Sequence, residues 1–113
     1  MTEADLQEAV IDCAHLFGWR VAHFRPALTR SGRWATPVAA DGAGWPDLSL
    51  AHPSGRVRFA ELKSARGVVT PDQAAWLGLL RGAGLEAQVW RPEDWTSGRI
   101  ERELRTAAKG GTL

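Results

Sequence analysis

Apolar residues recur at helical spacing near the start of the chain: Leu6, Ala9, Val10, Cys13, Ala14 and Phe17, with polar residues between them. Thr2 stands before the run as an N-cap, with Glu3 in the first turn, Asp5 at the capping-box position and Gly18 after the last apolar residue. This predicts an amphipathic helix over residues 3–17. The period then changes to two, with Trp19, Val21 and His23 alternating against Arg20, Ala22 and Phe24, which predicts a strand over 19–25. Residues 26–44 show little periodicity and read as a long connection, of a length that usually carries function.

Two further alternating runs flank Pro53-Ser54-Gly55. Those three residues fit a hairpin loop in which proline presets a type I turn and glycine takes the left-handed position after it. In the first run Leu48 and Leu50 alternate with Asp47, Ser49 and Ala51; in the second Val57, Phe59, Glu61 and Lys63 share one parity. Thr70-Pro71-Asp72-Gln73 opens a second helix with a complete capping box, running to about Gly82 and stopped by Gly84. A strand over 86–91 follows, closed by Pro92-Glu93-Asp94-Trp95. Ile100, Leu104, Ala107 and Ala108 mark a last short helix before a tail at 109–113. The order α-β-β-β-α-β-α predicts an α/β fold with a mixed sheet, a hairpin at its centre and a parallel β-α-β crossover. At 113 residues the expectation is one domain over 1–113.

The hairpin loop sets a register with a chemical consequence. If His52 pairs with Arg56, counting back places Asp47 opposite Glu61, with Lys63 two residues further along the same face. Like charges directly opposite repel, and buried carboxylates are costly unless paired or bound to a metal. Mg²⁺ resolves such a conflict, because it takes one or two protein carboxylates together with waters and phosphate oxygens. A solvated surface hairpin, with Glu61 paired to Lys63 or an arginine, is the plainer reading of the same residues.

Net charge is only +1, but it is unevenly spread. Residues 1–19 carry four acids and no Lys or Arg, whereas residues 20–66 carry eight Lys or Arg against Asp41, Asp47 and Glu61, a net +5. A basic segment that also holds the paired carboxylates suits a phosphate backbone. Cys13 is alone, which excludes an internal disulfide and a multi-cysteine zinc site. No apolar run reaches the length of a membrane span, and the acidic start lacks a signal-peptide pattern, so a cytoplasmic location is expected.

Gly44-Trp45-Pro46-Asp47-Leu48, followed by Phe59-Ala60-Glu61-Leu62-Lys63, resembles the active-site signature of the PD-(D/E)XK nucleases. More narrowly the chain is similar to the VRR-NUC family in its small stand-alone, phage-type form. The likeness continues through Thr70-Pro71-Asp72-Gln73 and Val89-Trp90-Arg91-Pro92, and includes Thr2-Glu3 and Leu6-Gln7. The resemblance implies a restriction-endonuclease-like core and a Mg²⁺- or Mn²⁺-dependent nuclease. Asp47 and Glu61 would hold the metal with the Leu62 carbonyl, and Lys63 would position water or stabilise charge developing on the phosphate. It also brings Glu3 to the site with Gln7 as companion, although Glu3 placed there equally suits the helix dipole. Gln73 has two readings, a capping role and a role in ordering the site.

Arg25, Arg30 and Arg33 before the metal aspartate, and Ser64 and Arg66 after Lys63, are the expected substrate contacts. Trp34 fits either a stacking platform or the core. The stand-alone relatives imply a homodimer acting on branched DNA such as a Holliday junction. The alternatives are a nuclease of different preference (nicking, flap or RNA) and a DNA-binding module that does not cleave.

Overall fold

The computed structural model describes residues 1–24, 30–32 and 39–109 in full, and the backbone of 27–28 and 34–35. Helix α1 spans Glu3–Leu16. Strands β1 (Arg20–His23), β2 (Ala27–Leu28), β3 (Trp34–Ala35), β4 (Leu48–His52) and β5 (Arg56–Leu62) follow. Then come α2 (Pro71–Gly82), β6 (Glu86–Trp90), α3 (Pro92–Thr96) and α4 (Arg99–Ala108). The main sheet has the order β1-β4-β5-β6, antiparallel except for the parallel β5–β6 pair. It is the mixed α/β arrangement that the hydrophobic pattern predicts.

Two cores lie on the two faces of this sheet. On one, Leu6, Val10 and Ala14 of α1 and Ile100, Leu104 and Ala107 of α4 pack against Leu48, Leu50, Ala60, Leu62 and Trp90. On the other, Leu77 and Leu80 of α2 meet Ala87, with Trp45, Phe59 and Val89 packed against them. Trp19, 2% exposed, ties the first layer together, its indole N–H donating to the Leu104 carbonyl at 3.1 Å. Both predicted capping boxes form, Thr2 with Asp5 and Thr70 with Gln73. Among the described residues no helix is long and apolar enough to cross a membrane.

The β4–β5 hairpin takes the expected register, from His52↔Arg56 to Leu48↔Ala60. Gly55 donates its N–H to the His52 carbonyl at 3.0 Å and sits at φ +94°, the left-handed position that the turn demands.

Three details differ from the sequence reading. The connection over 26–44 contains a two-residue antiparallel pair, Ala27↔Ala35 and Leu28↔Trp34, too short to leave a periodic trace. Pro92–Thr96 is a short helix rather than a simple strand closure. Pro92 occupies its first turn, and the Asp94 carboxylate accepts the Arg91 N–H at 2.8 Å. The basic middle segment is also not wholly open to a ligand. Arg58, 5% exposed, pairs with Glu86 at 2.7 Å and Glu103 at 3.2 Å, and Arg56 approaches Glu86 at 3.6 Å.

Candidate active site

Asp47 lies where β4 begins, delivered by a tightly held strap. Gly44 has φ +86°, and a Cβ there would come within 2.5 Å of the Asp72 backbone, so only glycine lets this segment press against the start of α2. Trp45 is clamped next: its ring meets Phe59 edge-on at 5.3 Å and Trp76 at 4.9 Å, and its indole N–H donates to the Ser49 hydroxyl at 3.0 Å. Buried Pro46 then precedes Asp47. Proline offers no N–H to the ladder, and here the Asp47 carboxylate takes up the continuing strand, its Oδ2 accepting the Leu62 N–H at 2.9 Å.

Glu61 completes the pair from β5. Its residue is 1% exposed, and Oε1 accepts the Asp47 N–H at 3.2 Å. The two acids are therefore cross-linked through each other's strand, as the register requires. Lys63 places Nζ 3.8 Å from Glu61 Oε2, with its own side chain 13% exposed. Burial, followed by the adjacent Asp47 charge, pushes the Glu61 carboxyl up to about 8; Lys63 opposes the shift without cancelling it. Two carboxylates this close, with one ammonium for both, form a site that is one positive charge short.

This donor set suits a hard divalent cation. Each carboxylate has one oxygen engaged by a backbone N–H, and the second oxygen of Glu61 faces Lys63 Nζ. The Leu62 carbonyl leaves its strand on the same edge as the Leu62 N–H, and hence on the Asp47 side. Among the described residues no group of three or more His, Cys, Asp or Glu converges on a point. A cation here would rest on two carboxylates, a carbonyl and water, the oxygen environment of Mg²⁺ rather than the nitrogen and sulfur environment of zinc.

The other expected site residues fall at graded distance. Glu3 is exposed at the start of α1, yet its carboxyl is raised by partial burial and then by Asp47, with Lys63 opposing, which puts it within electrostatic reach of the pair. Gln7, on the same helix, approaches His23 Nδ1 at 3.5 Å. Gln73 reconciles its two readings: its Oε1 accepts the Thr70 N–H at 2.9 Å, and its side chain borders the same cleft as Asp47. Ser64 is half-buried in the loop after Lys63, and Arg66 is exposed on it. Arg30 is exposed in the turn between β2 and β3. Arg25, Arg33 and the Trp34 side chain lie outside the described residues, as do 110–113 of the expected tail.

Arg91 is a contributor that the charge pattern did not single out. It donates from one guanidinium nitrogen to the carbonyls of Ser64 and Gly67, both at 2.8 Å, and so ties the loop after Lys63 to the end of β6. The sequence reading placed it at the end of the strand over 86–91 and within the family likeness, without a role.

A mixed sheet that sets a half-buried aspartate beside a buried glutamate and a lysine two residues on defines the nuclease class known as PD-(D/E)XK. Residues 27–93 match the model of the VRR-NUC domain, more than half of the chain, and the chain belongs to that family. Membership makes it a nuclease-type domain with DNA as its substrate. No curated protein and no solved structure matches the chain.

Proposed function

We infer that this protein is a divalent-metal-dependent endonuclease that hydrolyses DNA phosphodiesters, with branched DNA of the Holliday-junction kind as its substrate. The observation that carries the reading is the Asp47–Glu61 pair, with Glu61 buried and Asp47 half-buried, cross-linked by backbone hydrogen bonds and short of positive charge despite Lys63. When bound, Mg²⁺ or Mn²⁺ supplies that charge, polarises the phosphate and makes a water acidic enough to attack at neutral pH.

The protein's own residues do the rest. Asp47, Glu61 and the Leu62 carbonyl fix the cation's position. Lys63, held by its charge contact with Glu61, stabilises the negative charge that builds on the phosphate oxygens. Glu3 adds a further carboxylate at the mouth, and Gln73 keeps the start of α2 against the site. Ser64 and Arg66, on the loop fastened by Arg91, contact the DNA backbone together with Arg30.

Paired nicks across a four-way junction need two such sites, so the working form is a homodimer in the cytoplasm. Leu79, 68% exposed on α2, makes that helix a better interface than α4, whose outer face carries Arg99, Glu101, Arg102 and Arg105. The test is cleavage of end-labelled four-way junction and matched linear duplex with Mg²⁺, Mn²⁺ or EDTA, comparing wild type with Asp47→Asn. Symmetric nicks on the junction alone, lost with EDTA and in the variant, are expected. Equal cutting of both DNAs would remove the branch preference, and tight binding without cutting would reduce the protein to a binding module.

A further inference from the structure

An apolar cleft of about 650 Å³ opens directly beside Asp47, between the 39–45 strap and the start of α2. Its size is within the range of about 300–1,000 Å³ typical of sites for small organic ligands. Phe24, Trp45 and Trp76 give it aromatic walls, Ala40 and Gly44 lie on the strap side, and Gln73 brings an amide to its edge. Among the described residues, Asp41 and Asp47 are the charged ones that line it.

Phe24 is 43% exposed, and its N–H donates to the Asp47 carbonyl at 3.2 Å, which fixes an uncovered aromatic residue one strand away from the acidic pair. The Trp76 indole N–H is already taken by the carbonyls of Asp41 and Ala43, at 3.0 and 3.1 Å, so this side chain offers the cleft ring surface rather than an unmet donor. Ala40 stands at φ +52°, a left-handed conformation uncommon for a residue with a Cβ, and strain of this kind collects where a loop is shaped for a ligand.

A cleft walled by rings and flanked by carboxylates repels phosphate and accepts a flat, neutral, aromatic group. We propose that it is a base-binding subsite: an unpaired or unstacked base next to the scissile phosphate enters it, stacking on the aromatic walls lined by Phe24 and Trp76. This rests on the nuclease reading and deepens it, because it makes a displaced base at the branch point the feature that is recognised. With its Oε1 occupied by Thr70, Gln73 presents amide donors, and every base carries ring or carbonyl acceptors on its edge, so the subsite is tolerant of sequence.

The test uses two duplexes that each carry one unpaired nucleotide at the cleavage position, one with its base and one abasic, identical in phosphates. Affinity is read by fluorescence anisotropy with Ca²⁺ in place of the catalytic metal. The base-bearing duplex should bind about tenfold more tightly, the effect of losing one base–aromatic stack. Phe24→Ala should shrink that ratio towards one, and Phe24→Trp should keep it. Equal affinity of the two duplexes for the wild-type protein, or an unchanged ratio in Phe24→Ala, overturns the subsite. Cleavage of both duplexes with Mn²⁺ is scored separately. Cutting without any difference in affinity leaves the nuclease and removes the subsite, whereas a difference in affinity without cutting does the reverse.

Discussion

The acidic pair makes a prediction that does not depend on catalysis. Glu61 is 1% exposed, and burial with the neighbouring Asp47 charge moves its carboxyl from 4.5 to about 8. At pH 7 the metal-free protein then holds about 0.9 of a proton there, and at pH 8 about half of one. A divalent cation needs ionised carboxylates, so binding must expel that proton. Calorimetric titration of Mn²⁺ or Ca²⁺ at pH 7, in two buffers of different ionisation enthalpy, should report nearly one proton released per protein. Apparent affinity should rise about tenfold per pH unit between 6 and 8 and then level off. Glu61→Gln should remove both effects.

The same shift fixes the sign of the stability change. The folded state favours protonated Glu61, so this contribution is fully present below pH 4.5 and is lost as pH rises through about 8, amounting to about 5 kcal/mol at most. Saturating metal at pH 8 should restore it, seen as a higher urea midpoint. Metal binding whose heat is identical in the two buffers at pH 7 would refute the buried, protonated Glu61.

Substitutions at three positions probe the supporting structure. Asp47→Asn keeps an acceptor for the Leu62 N–H and removes the charge conflict, so it should match or exceed wild-type stability while losing cleavage; Asp47→Ala orphans that N–H and should cost about 1–3 kcal/mol, measured by urea unfolding. Gly44→Ala combines a left-handed backbone with a 2.5 Å clash against Asp72, and should destabilise by roughly 2–4 kcal/mol with lost activity. Arg91→Ala releases the carbonyls of Ser64 and Gly67 and should cost about 1.5–3 kcal/mol in stability, while amide exchange in residues 64–67 accelerates.

Local signals were sufficient wherever a few neighbouring residues decide the outcome. Both capping boxes, the Pro53-Ser54-Gly55 turn and the parity of β5 follow from short-range stereochemistry, and that turn alone fixes Asp47 opposite Glu61. The motif residues could therefore be named from the chain. Charge was a poorer guide, because a pattern of arginines does not say which of them will meet acids from distant elements. Arg58 counts towards the basic charge of residues 20–66, but β6 and α4 bring Glu86 and Glu103 against it.

The sequence by itself determined the main elements, the hairpin register and the placing of Asp47 opposite Glu61, since each depends on contacts within a turn or across one tight loop, whereas the short β2–β3 pair and α3 left no such trace. Only the tertiary structure decided how deeply Glu61 is buried, and with it the pull of its carboxyl towards neutrality. On the face that Glu61 shares with Phe59, α2 packs against the sheet and the 39–45 strap closes against the start of that helix. The same closure creates the aromatic cleft beside Asp47, whose walls come from Phe24, Trp45 and Trp76, residues far apart in the chain that meet only because the strap is folded against the start of α2.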